Sequence, residues 1–209
     1  MIEFGPAEIN SRDRAVAPVD FEFLARQASR QVVKARCIPN RDNAGIHNMG
    51  WVSVYIVADS TEAQPQPPLE LCSLVRTELL KRAPAALGAS GHIFVGRPDY
   101  VPVSVKVQIA ADSIAEVAQA EANTRAMLEK FLHPLRGGPD GSGWEFGQGF
   151  ALSALYSAIE QLPGVDHVES IDVAPQLTND YLETGPDQIV ASGTHDISAV
   201  VAEEAEAWH

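Results

Sequence analysis

No lysine or arginine follows Arg136 in this chain of 209 residues. The last third therefore has no cation to offer a phosphate backbone, which excludes it as a nucleic-acid-binding region. Anionic membrane surfaces are disfavoured for the same reason. Cysteine is scarce too. Cys37 and Cys72 are the whole complement, too few for a disulfide scaffold, and both lie inside apolar patterns as small buried hydrophobes. No apolar run approaches the roughly 20 residues that span a bilayer, so no membrane insertion is expected. The first residues, Met1-Ile-Glu-Phe-Gly-Pro, lack the basic start and apolar stretch of a secretory leader. Together these absences point to a product assembled in the cytoplasm.

What is present suits a folded protein. Apolar residues make up 45% of the chain and charged residues 21%, close to ordinary globular usage. Acidic residues number 28 against 15 basic, for a net charge of −13. The imbalance is local. Residues 1–105 carry 11 of each sign, whereas residues 106–209 carry 4 basic and 17 acidic side chains.

Residues 1–15 show no period and read as an arm. Phe21, Leu24, Ala25 and Ala28 form one helical stripe over 18–29, opened by Pro18 with Asp20 and Glu22 at the positive end of the helix dipole. Val32 to Ile38 reads as a strand closed by Pro39. Residues 39–50 have loop composition, and Trp51 to Val57 is a strand rich in β-branched and aromatic residues. After a Pro/Gln-rich loop, Leu71, Cys72, Val75 and Leu79 stripe a helix to about Arg82. His92 to Val95 is a short strand. Val101, Val103, Val105, Val107 and Ile109 alternate with polar partners, predicting a strand with one buried and one wet face. Ser113-Ile-Ala-Glu116 is a capping-box pattern that predicts a helix to about Leu132, with Ile114, Val117, Ala118, Leu128, Phe131 and Leu132 on or near one face. A Gly/Pro loop fills 133–149. Leu152, Leu155, Tyr156 and Ile159 mark another helix. Strands follow at 165–173 and 189–200, separated by a loop at 174–187, before an acidic tail.

Residues 18–58 and 151–200 share the order helix, turn, strand, loop, strand, a repeat of pattern rather than of sequence. The expected fold is α+β: two small α/β sandwich modules, each a mixed sheet with helices on one face. The expected division is an N-terminal arm at 1–15, a first module at 16–98, and a second at 99–209 that carries the 133–149 loop and the acidic tail.

Chemistry-bearing patterns are few. No pair of the six histidines has helical metal spacing. His167 and His195 could meet on paired strands beside Asp166, Glu169 or Asp196, which leaves a small-ligand or metal-binding module as one alternative. Gly137 to Gly143 lacks the lysine of a phosphate loop and the regularly spaced acids of a calcium loop. Its glycines suit tight turns, and Trp144 and Phe146 could pin it to the body or to a neighbouring subunit. Ser153 and Ser157 have no nucleophile elbow, and neither cysteine has the basic surroundings of an activated thiol. An acidic hydrolase using Asp140, Glu145 and His133 is the other alternative. The main reading has no catalytic, cofactor or metal residues. Its interface candidates are Trp144, Phe146 and Asp140 in the loop, with Arg12, Arg14, Arg26 and Arg30 in the basic region at 12–41.

Several segments, taken in order, resemble one family. They are residues 15–29 leading into Val33–Pro39, residues 98–105, residues 131–147, residues 162–170 and, more weakly, 188–195. Together they look like the baseplate J-like proteins, the baseplate assembly proteins of phage-tail-like contractile injection systems. The most specific stretch is Phe131-Leu-His-Pro-Leu-Arg-Gly-Gly-Pro-Asp-Gly-Ser-Gly-Trp-Glu-Phe-Gly147. The resemblance runs from about residue 15 to 197 and implies a non-enzymatic wedge subunit. Such a subunit links hub and spike to the sheath, rearranges on contraction, and belongs to a large symmetric hetero-oligomer. Family members usually carry a further N-terminal region; a split gene, a reduced paralogue and a truncated chain are all compatible with the resemblance.

Overall fold

Helix α1 (Pro18–Ala28) begins where the sequence places it. The Asp20 carboxylate reaches back to accept from the Val16 and Ala17 N–H groups at 3.0 and 2.8 Å, so the helix start is satisfied without a conventional capping residue. Phe21, Leu24 and Ala25 turn inward. The chain, seen here in a computed structural model that describes residues 14–201, divides into two units between Asp99 and Tyr100.

In the first unit β1 (Val32–Arg41) pairs antiparallel with β2 (His47–Ala58), and β3 (Ile93–Gly96) adds in parallel on the other side of β2. Helices α1 and α2 (Leu69–Arg82) pack on the face carrying Val52, Val54, Ile56 and Ala58. Leu71, Val75 and Leu79 from α2 enter the same core, with Ile93 and Val95 from β3 and Cys37 from β1. Each such side chain contributes about 1.5–3 kcal/mol on burial. Two expectations change here. Residues 39–41 and 47–50 are strand, not loop, because turn-forming residues at 42–46 let the ladder run to Arg41↔His47. A short helix, α3 (Ala85–Ser90), closed by Gly91 at φ 69°, fills the stretch between the expected helix end near Arg82 and the strand from His92.

In the second unit the alternating segment becomes β4 (Asp99–Ala111), the middle strand of a three-stranded sheet ordered β6-β4-β8. Its partners are β6 (Val165–Ala174) and β8 (Gln188–Val201). Val103, Val105, Val107 and Ile109 are buried, whereas Lys106 between them is exposed. Pro102 lies within β4 but before its ladder with β6, which starts at Ser104↔Ala174, so its missing N–H costs that pairing nothing. Helix α4 (Val117–Phe131) packs on β8 and α5 (Leu152–Glu160) on β6. Short strands β5 (Phe150–Ala151) and β7 (Tyr181–Leu182) form a second small sheet, with β7 inside the 174–187 stretch that reads as loop.

Three readings of this unit are corrected. The capping-box residues form a turn instead, with the Ser113 hydroxyl 3.2 Å from the Glu116 carboxylate, and α4 starts after them. Ile114 is exposed; the expected Leu128, Phe131 and Leu132 are buried, joined by Ala120 and Thr124. The pattern repeat does not extend to topology: β1 and β2 pair directly, while β4 separates β6 from β8.

Candidate docking surfaces

The loop at 133–149 is held from inside. Gly137 N–H donates to His133 O at 2.8 Å, Gly138 N–H to Phe131 O at 2.7 Å, and Trp144 N–H to Pro134 O at 2.9 Å. A Cβ on Gly137 would lie 2.1 Å from Phe131 O, so only glycine fits there. Trp144 is 0% exposed. Its ring meets Phe131 edge-on at 5.5 Å and Phe150 at 5.3 Å, and Nε1–H donates to Phe131 O at 2.9 Å. Phe146 is buried as well. Of the two roles open to these aromatics, Trp144 takes the intramolecular one. A ring already packed against two others is not presented to a partner. Asp140 remains at the surface, where its carboxylate accepts from the Ser142 N–H and hydroxyl at 3.2 and 2.8 Å.

The basic region is not one patch. Arg12 lies outside the described residues. Arg14, Arg26 and Arg30 are exposed. Lys34 is buried, and Arg36 approaches Glu22 at 3.8 Å. Glu22 also accepts the Cys37 N–H at 3.0 Å. Arg41 donates to Gly45 O at 3.0 Å.

That last bond belongs to a surface the sequence reading passed over. At the β1–β2 tip the Asp42 carboxylate accepts from the Ala44 and Ile46 N–H groups, both at 3.0 Å, and from the Asn48 side chain at 3.4 Å. These bonds, the one from Ile46 foremost, hold its pKa below the usual carboxylate value. The tip then carries Ile46 and Met49 outward, 63% and 81% exposed. The clue in the sequence was Asp-Asn-Ala-Gly between two strand patterns, a turn signal with a mechanism.

The histidines and Asp140 named for the catalytic and metal alternatives make local contacts among the described residues. His133 Nδ1 accepts the Leu135 N–H at 3.1 Å, and Asp140 serves its own turn, so neither is aimed at a reaction centre. His167 and His195 stand on strands separated by β4 and do not meet as paired-strand neighbours. His167 binds the adjacent Asp166 at 2.7 Å on the surface. His195 is buried, and its Nδ1 accepts the Val105 N–H at 3.3 Å. The proton therefore sits on Nε2, which donates to Ser192 Oγ at 2.9 Å. That tautomer cannot take a proton from the serine. Burial lowers the His195 pKa, partly opposed by Glu129. Burial also pushes the Cys37 thiol up to about 12, with Glu22 adding to the effect, so it stays protonated. Among the described residues no cluster of His, Cys, Asp or Glu suits a metal, and no helix is long and apolar enough to cross a membrane.

No family model and no curated protein matches the chain. Solved structures do match it. Among them is a chain of the anti-feeding prophage (AFP) baseplate, determined by cryo-EM and 6-fold symmetrised, with a TM-score of 0.65 and 15% identity. This chain shares its fold with part of that chain. The likeness covers 92% of this chain and 40% of that one, so the present chain spans two fifths of its neighbour's length. At that identity the likeness is one of fold, and at 92% coverage it takes in residues of both units.

Proposed function

We propose that the chain is a structural baseplate subunit of a phage-tail-like particle, a wedge component of the baseplate J-like kind. The carrying observation is the fold likeness to a baseplate chain over 92% of the sequence. The wedge assignment rests further on the family resemblance of residues 131–147. In this reading the subunit is non-enzymatic and needs no cofactor. It assembles in the cytoplasm into a large symmetric hetero-oligomer, links hub and spike to the sheath, and rearranges on contraction.

The docking residues in this reading are Asp140 on the loop and Arg14, Arg26 and Arg30, with Arg12 before them. Trp144 and Phe146 act from beneath, fixing the loop backbone. The braced tip with Ile46 and Met49 joins them as a preorganised apolar contact, since a surface already rigid loses less entropy on docking. The acidic second half would face basic neighbours, and salt should loosen that contact.

The test is a tagged copy expressed in its native cell. It should co-sediment with sheath and tube proteins in a large particle. A tagged chain recovered only as free protein, while intact particles form without it, would sink the proposal.

A further inference from the structure

The sheet β6-β4-β8 is covered by α4 and α5 on one face. Its other face is open. Lys106 on β4, Asp172 on β6, and Thr194 and Asp196 on β8 are exposed there, and a shallow groove lined by these residues crosses all three strands. Asp172 lies directly opposite Lys106 in the ladder. At the bulge in β6, Glu169 adds a third carboxylate, held by the Gln108 side chain at 2.6 Å. The face thus carries three carboxylates against one ammonium. Among the described residues, neither Asp172 nor Asp196 takes part in an ion pair.

The complementary surface is in the first unit. Arg26 in the last turn of α1 and Arg30 just beyond it are exposed. Among the described residues, neither has an ion-pair partner. Arginine suits such a face, because its planar fork makes two parallel hydrogen bonds to a carboxylate and is less strongly hydrated than lysine. Hydroxyl-bearing Thr194 and the half-buried Ser104 between the acids supply the neutral acceptors of a polar, wet interface.

We propose that the open face of β6-β4-β8 receives the arginine end of α1 from a second copy of the chain. The two surfaces differ, so one contact leaves an arginine end and an acidic face over. These either meet each other reciprocally, closing a two-fold pair, or bind further copies to build a ring or filament. The contact is a property of the chain itself and does not depend on the baseplate reading. A chain that self-associates this way and never enters a particle would leave this inference standing and remove the other.

The test is sedimentation velocity of the purified full chain at low and high salt, with two charge-reversed variants. One is R26E/R30E and the other D172K/D196K. All four positions are exposed, and unchanged circular dichroism checks folding. Wild type should form oligomers at low salt that dissociate as salt rises. Each variant alone should weaken association by about tenfold or more, since opposed charges become like charges. Mixing the two variants should restore association, because the intact acidic face of one meets the intact arginine end of the other. A wild type monomeric at low salt overturns the inference. So does association that survives both reversals, that is lost to M49D instead, or that mixing fails to restore.

Discussion

The tip at 42–50 and the loop at 133–149 are both glycine-bearing surface segments, yet their apolar side chains point opposite ways. At the tip, side-chain-to-backbone bonds from Asp42, Arg41 and Asn40 fix the turn locally, so Ile46 and Met49 are free to face out. In the loop, the backbone is fixed by rings beneath it, so Trp144 and Phe146 are consumed by the core. The lesson is that an aromatic in a glycine-rich loop need not be a hot spot. It becomes one only when something else holds the loop.

The largest expected effect lies on the loop side. Trp144→Ala should lower unfolding stability by about 3–5 kcal/mol in urea titration, because it empties a buried three-ring cluster. A loss below about 1 kcal/mol would mean that the loop is held from outside after all. Gly137→Ala comes next. Its Cβ would collide with the Phe131 and His133 carbonyls, and strain of about 1–3 kcal/mol is expected in the same titration.

His195 extends the comparison to pH. The unfolded chain takes up a proton on this residue near the ordinary value of 6.5, whereas the buried imidazole resists to lower pH. Between those points the unfolded state binds more protons. Stability should therefore be level above about pH 6.5 and fall as pH drops toward the lowered native pKa. His195→Gln should flatten that segment of the stability–pH curve. An unchanged curve would show that the imidazole is not the titrating group.

The tip should respond locally. Asp42→Ala should speed amide exchange at Ala44 and Ile46 while leaving exchange in α1 and α2 unchanged, since the bonds removed lie within the turn. The smallest stability effect is expected for Met49→Asp, within about 0.5 kcal/mol of wild type. The same variant should reduce recovery of the tagged chain in sedimented particles. A large stability loss from it would mean that Met49 is core and would erase the contrast with Trp144.

Much of the fold was legible in the sequence because local periodicity reports which face of an element is buried. The stripe Phe21, Leu24, Ala25 and the alternation Val103, Val105, Val107 are of this kind. Other features were hidden for physical reasons. Strands β5 and β7 hold two residues each, too few to show a period. Ile114 looked like stripe but lies in a turn, where helical spacing has no meaning. The tip was masked because turn residues and strand ends share polar composition, and only the ladder shows how far pairing continues. Of the candidate site residues, the exposure of Arg14, Arg26, Arg30 and Asp140 matched their charge. The burial of Trp144 did not follow from composition.

By itself the sequence determined the α+β class, the alternating faces of β4, the start of α1, and the segregation of negative charge into the second half. All are consequences of side-chain chemistry acting over a few neighbouring residues. Only the tertiary structure decided that β4 stands between β6 and β8, that Trp144 turns inward while Met49 turns outward, and that Asp172 and Asp196 share one open face. These depend on pairings between residues tens of positions apart. Such pairings are selected by how the whole core closes, which no local pattern encodes.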